Sequence, residues 1–495
     1  MSSHAQSKLD YPPSAGRPLA ILYAAIMLDA VGIGLVFPIL PRLLEAVSGA
    51  ASVAPFLGAM TALYAAMQFV FAPVLGALSD RLGRRPVLLI SLAGATVNYL
   101  FLAFAPSLVL LFIGRAIAGL TSANVSVAAA YITDISPPET RPRRFGLSNA
   151  MFGAGFIIGP VLGGALGDYS LRLPFIAAAA LTGLNLAIAL FALPESRPGN
   201  RAQLELSALN PLRPLSWAFS MRSLAPFVLI FFVFSATGEA YGTCWALWGH
   251  EAFGWNGLLV GLSLGAFGIC QTLAQAILPS PATRLLGERK AILTGVAATS
   301  TALVVMAFAT AGWMVFAIMP LFALGGIGIP ALQSLATQQV GEDLQGQFQG
   351  VLASAVSLAS IVAPLGFSTV YFLTHLAFPG AVWLSVVAVY ALAVPLILSL
   401  GAVRGKSVAQ RAFNNMFELL EHTNNCGPLG DRSGSGHASK EARARLFRVH
   451  TGTARRVAPG NVAPGSRADL DGPSLPPPKG PHESGHDESN HMSRL

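Results

Sequence analysis

The sequence contains few charged residues. Asp, Glu, Lys and Arg make up 11% of its 495 residues, whereas about 25% is usual for a soluble domain. So few charges cannot cover the surface of a soluble chain of this length, which excludes an ordinary soluble fold. Hydrophobic side chains account for 53% of the residues, and the mean hydropathy is +0.60. We therefore expect a polytopic membrane protein.

Cysteine is also scarce, and its spacing excludes further classes. Cys244, Cys270 and Cys426 are too few and too scattered for a disulfide framework or a zinc site. The polar segments contain no nucleophile motif and no phosphate-binding loop. The sequence thus predicts that the chain is not an enzyme and has no metal site and no cofactor. The formal net charge of +8 is better explained by loop asymmetry and a basic tail than by nucleic-acid binding.

The apolar residues form twelve runs, each long enough to cross a bilayer as a helix. They predict an all-α protein of twelve transmembrane helices in two six-helix halves. The runs centre near residues 19–41, 55–78, 86–105, 107–133, 144–168, 174–193, 224–248, 257–279, 290–309, 313–336, 347–372 and 379–401. The predicted organisation is an N-terminal segment 1–18, a bundle 19–193, a linker 194–222, a second bundle 223–402 and a tail 403–495.

Basic residues in the short loops predict the orientation in the membrane. Lys and Arg favour the cytoplasmic side, and three basic turns fall on the same side as the linker: 81–85, 141–144 and 284–290. Both termini are therefore expected to be cytoplasmic. Met1 to Arg17 is polar and does not resemble a cleavable signal peptide. The tail, rich in Arg, Gly, Pro, Ser and His, is predicted to be disordered because it has too little apolar surface to bury.

The turn from Gly76 to Pro86 carries the most specific motif of the chain. Its pattern, roughly G-x-L-[SA]-D-R-x-G-R-R-P, resembles the loop between the second and third helices of the major facilitator superfamily. We predict a cytoplasmic gate in which Asp80 faces the positive N-terminus of a helix from the other half while that side is closed. The alternative is a solvated anchor that only fixes topology. The predicted gate residues are Gly76, Asp80, Arg81, Gly83, Arg84 and Arg85.

A second motif lies in the fifth apolar run. Gly153, Gly159, Pro160 and Gly163 follow a pattern that resembles the antiporter motif of exporters in the same superfamily. Small residues of this kind let helices pack closely. The resemblance implies in addition a pliable helix that supports rocking of the two halves.

Three ionisable residues stand in the predicted spans, where a charge is costly and therefore indicates function. Asp29, Arg115 and Glu239 are the candidates for proton coupling. Burial disfavours the ionised form of a carboxyl group, so such a group can take up and release a proton during transport. The alternative for each is a structural polar group satisfied by neighbouring helices.

Polar and aromatic residues at inner positions predict a mostly apolar substrate cavity. Such a cavity suits an amphipathic, ring-containing compound better than a sugar or an inorganic ion. The predicted lining residues are Asn98, Asn124, Gln271, Gln275, Gln333, Tyr241 and Trp245.

Several stretches between residues 19 and 400 resemble the tetracycline/proton antiporters of Gram-negative bacteria, among them 28–35, 71–80, 325–333 and 345–350. The resemblance implies drug efflux across the inner membrane by alternating access, driven by the proton gradient. It implies roles for Asp29, Asp80 and Arg115, a metal–tetracycline chelate as substrate, and a protein that functions as a monomer in the lipid bilayer.

Departures from the pattern at three positions leave alternatives open. Asn98 and Thr299 stand where these antiporters carry aspartate, and Glu239 stands where they typically carry glutamine. The alternatives are an exporter of another drug or metabolite, an importer of a metabolite, and a membrane sensor or scaffold that does not transport.

Overall fold

A computed structural model describes residues 16–50, 52–196, 224–337 and 345–400, and the regular structure in these ranges is helical. Twelve helices are long and apolar enough to cross a membrane, which confirms the predicted number. In chain order these spans are Pro18–Val36, Ala54–Leu82, Arg84–Phe104, Leu108–Asp134, Arg141–Tyr169, Leu173–Ala192, Ala225–Phe253, Gly257–Ile277, Glu288–Ala307, Gly312–Thr337, Phe348–Thr374 and Ala381–Leu400. The predicted tail and most of the predicted linker lie outside the described residues.

Proline and glycine set several helix ends. The second, fifth, sixth and seventh spans each begin with a proline in their first two positions, where the missing N–H costs no hydrogen bond. Gly254 follows the seventh span with a φ of 65°, a left-handed conformation that suits glycine.

Two spans contain breaks. The fourth consists of helices Leu108–Thr121 and Asn124–Asp134. The tenth consists of Gly312–Ala323, a 3₁₀ turn Leu324–Ile327 and Gly328–Thr337. Short helices, Leu40–Ser48 and Pro279–Leu286, follow the first and eighth spans.

The twelve spans form two halves of six. In the first half, the first span packs against the fifth and sixth, and the third packs against the fourth and sixth. The halves meet along two seams, one between the second and eleventh spans and one between the fifth and eighth. A transporter that rocks its halves must open and close along these seams.

The two ends of the bundle differ in charge. The turn between the second and third spans, the start of the fifth span, and the turn between the eighth and ninth spans carry the arginine-rich segments 81–85, 141–144 and 284–290. We call this the basic end. The opposite end, at the last turn of the fifth span, is called the Asp168 end. Among the described residues, the direct polar contacts between the halves lie at the Asp168 end.

Candidate functional site

Asp29 lies at depth in the first span, on the wall of a cavity. The residue is 9% exposed, and the Asn124 amide donates a hydrogen bond to Asp29 Oδ1 over 3.2 Å. The cavity, of about 330 Å³, extends from Asp29 past Leu22 in the first turns of this span to Leu193 just beyond the sixth span. Asp29 is therefore reached from the basic end.

Arg115 lies in the fourth span and is held by an aromatic ring. Its guanidinium carbon is 4.7 Å from the centre of the Tyr64 ring, a cation–π contact that is stronger away from water. Arg115 Nε has no hydrogen-bond partner, and no carboxylate of the described residues forms a salt bridge with Arg115. The structure thus places this cation in the same half as Asp29 without pairing the two directly.

The break in the fourth span lies beside this cation and was not predicted from the sequence. The Ser122 hydroxyl at the break is 2.8 Å from the Tyr64 hydroxyl and accepts a hydrogen bond of 3.0 Å from the Gln68 amide. Irregular backbone at membrane depth needs such polar partners. The available sequence signal was Tyr64 and Gln68 one helical turn apart in an otherwise apolar run.

Glu239 lies in the seventh span, on the wall of a second and larger cavity of about 590 Å³. The Ser360 hydroxyl donates a hydrogen bond to Glu239 Oε1 over 2.6 Å. The predicted residues Gln271, Gln275 and Tyr241 share this wall. The cavity volume falls in the range that holds drug-sized ligands.

Thr299 also lines the larger cavity. Its hydroxyl donates a hydrogen bond to the Phe322 carbonyl oxygen over 3.4 Å, so this side chain is neutral and internally satisfied. Tyr241 stacks on Trp383, with ring centres 5.4 Å apart, and lies 4.7 Å from the Phe322 ring. The wall therefore offers flat aromatic surfaces beside one acid.

The other predicted lining residues do not share that wall. Trp245 is buried and donates its indole N–H to the Ser263 hydroxyl over 2.9 Å. Asn98 is buried with its carbonyl oxygen unpaired, Gln333 is exposed outside both cavities, and Asn124 lines the Asp29 cavity. The predicted lining residues that reach a cavity are thus divided between two cavities of the described residues instead of sharing one, and Phe152 lines both.

The turn between the second and third spans is fixed within the first half. Gly83 has a φ of 104°, and the Arg84 guanidinium binds Asp80 at 2.8 Å and Asp134 at 3.0 Å. The Glu195 carboxylate accepts hydrogen bonds from the backbone N–H groups of Arg84 and Arg85. These contacts anchor the turn.

The predicted gate contact of Asp80 stays a prediction. Its side chain is 55% exposed in this conformation, and Arg81 is exposed as well. Of the other half, the eleventh span packs against the second, and residues 338–344, just before its helix, lie outside the described residues.

The glycines of the fifth span pack against two neighbouring helices. A Cβ atom at Gly159 would lie 2.7 Å from the Val31 carbonyl oxygen of the first span, and one at Gly163 would also overlap that helix. Pro160 contacts Gly261 of the eighth span. Gly153, by contrast, has no neighbour within 4 Å of a Cβ position and lines the larger cavity.

Comparison with known proteins identifies the class to which this fold belongs. The model of the Major Facilitator Superfamily matches residues 22–364, so the chain belongs to that superfamily. Two solved structures share the fold: the human organic anion transporter MFSD10 (TM-score 0.58, 23% identity, 78% of this chain and 100% of the other) and the nucleoside transporter NupG (TM-score 0.67, 13% identity, 77% and 99%).

Within the superfamily, the chain belongs to the family of the tetracycline resistance proteins. It is 47% identical to the class C protein of Escherichia coli, over 77% of this chain and 96% of the relative. It is 44% identical to the class G protein of Vibrio anguillarum, over 77% and 97%. A more distant relative is the quinolone resistance protein NorA of Staphylococcus aureus, at 25% identity over 70% and 88%.

This membership confirms several predictions. The protein is a multi-pass transporter of the bacterial inner membrane and not an enzyme. Transporters of this superfamily need no cofactor and use an ion gradient.

Proposed function

We propose that this protein exports tetracycline in exchange for protons, by alternating access between its two halves. The observation that carries the proposal is the likeness to the tetracycline resistance proteins, which extends over nearly their whole length. The pH gradient can drive this exchange, since a tenfold difference in proton concentration supplies about 1.4 kcal/mol per proton.

The two cavities support separate tasks for proton and drug. Asp29 lies on the smaller cavity, which opens at the basic end and has few other polar groups, and this suits uptake and release of a proton. The larger cavity combines Glu239 with glutamine amides and aromatic faces, which suits an amphipathic drug with several rings. Because Phe152 lines both cavities, a change in the shape of one cavity can move this side chain and so change the shape of the other.

The basic end is the cytoplasmic one in this proposal, because short basic turns remain in the cytoplasm. Both termini then face the cytoplasm, and the conformation described is open to the cytoplasm and ready to load drug. The rocking bodies are the bundles 19–193 and 223–402, joined by the linker 194–222.

A drug panel in cells that lack other exporters tests the proposed function. We expect resistance to tetracyclines, and little protection against quinolones, at equal membrane levels of the protein. The matched control is Asp29→Asn, which should remove the resistance. Protection against a different drug class without protection against tetracycline would refute the substrate assignment.

The form of the substrate and the working unit complete the proposal. We expect the transported species to be a metal–tetracycline chelate, so uptake into inverted vesicles should fall when a divalent-metal chelator is added.

We also expect a functional monomer. Mixing active protein with Asp29→Asn protein in proteoliposomes should then reduce transport in proportion to the active fraction, whereas a steeper loss would indicate coupled protomers.

A further inference from the structure

A single carboxylate joins the two halves at the Asp168 end. Asp168 Oδ1 accepts a hydrogen bond of 2.8 Å from the backbone N–H of Gly257, and Oδ2 accepts one of 2.8 Å from that of Leu258. Asp168 lies in the last turn of the fifth span, in the first half, whereas Gly257 and Leu258 begin the eighth span, in the second half. The Arg42 guanidinium binds the same carboxylate at 2.8 Å.

The contact satisfies the start of a helix. The first backbone N–H groups of a helix have no partner within it and carry partial positive charge. Asp168 takes the first two of the eighth span, and the Asn256 side chain takes the N–H of Leu259 at 2.9 Å. A charged acceptor at this place attracts the helix start more strongly than a neutral one.

Close backbone packing brings the carboxylate within reach. A Cβ atom at Gly164 would overlap the Gly257 carbonyl group and lie 2.9 Å from the Leu258 Cα atom. Only glycine allows the fifth and eighth spans to approach this closely one turn before Asp168. At the Asp168 end, a charged hydrogen-bond acceptor therefore lies next to a close contact between the backbones of the fifth and eighth spans.

A similar sequence pattern, shorter by one residue, occurs at the predicted gate. Residues 73–80 are Pro-Val-Leu-Gly-Ala-Leu-Ser-Asp and residues 160–168 are Pro-Val-Leu-Gly-Gly-Ala-Leu-Gly-Asp. The two segments end the second and fifth spans, which correspond in the inverted three-helix repeats of this fold. Gly164 is covered by the other half in this structure, whereas Gly76 has no neighbour within 4 Å of a Cβ position.

We propose that Asp168 is a latch that holds the Asp168 end closed by binding the start of the eighth span across the two halves. Opening this end breaks the two backbone hydrogen bonds and leaves the carboxylate to Arg42 within its own half. The repeated pattern makes Asp168 the counterpart of Asp80 at the other end of the first half. Asp168 is a positioning residue, since it lines neither the cavity of Asp29 nor the cavity of Glu239.

Labelling of single cysteines tests the latch in full-length protein with Cys244, Cys270 and Cys426 replaced by alanine. Leu247→Cys reports on the Asp168 end, because Leu247 is buried in a pocket there. Asn149→Cys reports on the basic end, because Asn149 is exposed and lines the Asp29 cavity. An impermeant maleimide is applied to spheroplasts for the first reporter and to inverted vesicles for the second.

With Asp168→Asn we expect labelling of Leu247→Cys to rise about tenfold, as for the loss of hydrogen bonds to a charged group, and labelling of Asn149→Cys to fall. Glu45→Gln is the matched control, since it removes a carboxylate from the same pocket without touching the eighth span, and it should change neither rate. If Asp168→Asn does not reach the membrane, Gly257→Ala replaces it, because its methyl group would lie 2.9 Å from Asp168 Oδ1.

Unchanged labelling at both reporters would overturn the proposal. So would a rise at both, because a merely structural residue loosens the whole protein when it is removed. The readout does not depend on which drug is carried, so its failure is distinct from a failure of the proposed function.

Discussion

Asp29 and Glu239 occupy corresponding places, on the first helix of each half, and each lines one of the two cavities. Each has one neutral partner: the Asn124 amide for Asp29 and the Ser360 hydroxyl for Glu239. A carboxyl group with a neutral partner can bind a proton without breaking an ion pair, which favours proton exchange. Arg115 lies apart, over Tyr64, and supplies positive potential to the first half.

Replacing Asp29 tests the proton site. We expect Asp29→Asn to abolish pH-gradient-driven uptake of labelled tetracycline into inverted vesicles, because an amide cannot carry the proton. Asn124→Ala keeps the acid and should retain measurable uptake with a changed pH dependence. Undiminished uptake in Asp29→Asn, at equal membrane levels, would remove Asp29 from the mechanism.

Replacing Glu239 tests the second acid. We expect Glu239→Gln to flatten the pH dependence of transport between about pH 5.5 and 8.5, the range that a desolvated carboxyl group can reach, because Asn98 and Thr299 cannot titrate. Ser360→Ala retains the acid and serves as the control. Asn98→Asp should partly restore the lost pH dependence. If the profile of Glu239→Gln is that of the unchanged protein, Glu239 is a structural residue.

At the scale of single helices, the fifth span joins the two halves along one of their two seams. Its glycines pack against the first span, its Pro160 contacts the eighth, and Asp168 in its last turn binds the start of the eighth. The fifth span can move relative to the first and eighth spans only where its glycines leave room for the neighbouring backbone. We therefore expect its small residues to control the rate of conformational change.

A pair of glycine substitutions tests this expectation. Gly159→Ala should slow transport and destabilise the protein by about 1–3 kcal/mol, as overpacking does, because the new methyl group would lie 2.7 Å from the Val31 carbonyl oxygen. Gly153→Ala, in the same motif but in open space, should be tolerated. Transport rate and thermal stability of the two purified variants are compared. Equal losses of transport rate and stability in the two variants would show that the close contact of Gly159 with the first span does not control the conformational change.

The sequence predicted helices better than contacts. Each span was predictable because an apolar run of about 20 residues has few other stable structures in a bilayer. The break at Ser122 was not, since no Gly or Pro stands there and its stability comes from Tyr64 and Gln68 on another helix. Asp168 was missed for a similar reason: at a helix end it is an ordinary surface acid until the start of the eighth span is placed beside it.

The sequence allowed the ionisable residues of the candidate site to be predicted, but not which residues line each cavity. Asp29 and Glu239 were found because acids at membrane depth are costly. Trp245 packs beneath the cavity wall, whereas Gln271 lines it. This difference depends on how the seventh and eighth spans are rotated about their axes. Both helices are apolar on all sides, so their composition does not reveal that rotation.

At the scale of the molecule, the described residues form two halves in contact at the Asp168 end, with a cavity that reaches from Asp29 to the basic end. The predicted tail lies outside the described residues. About 381 residues of this chain already cover 96% of the class C relative, and all twelve spans end by Leu400.

Removal of residues 404–495 should therefore leave transport nearly unchanged. Tetracycline resistance of cells producing the shortened chain is compared with that of cells producing the full chain, at matched membrane levels. A loss of resistance at normal levels would show that the tail takes part in transport.

Purified full-length protein in proteoliposomes gives the most direct test of drug–proton exchange. Labelled tetracycline and internal pH are followed together after a pH gradient is imposed, with Asp29→Asn protein as the control. The account predicts that tetracycline uptake and proton efflux begin together, stop together when the gradient is collapsed, and are both absent with Asp29→Asn. Tetracycline movement that continues unchanged without a gradient, or that does not move protons, would contradict it.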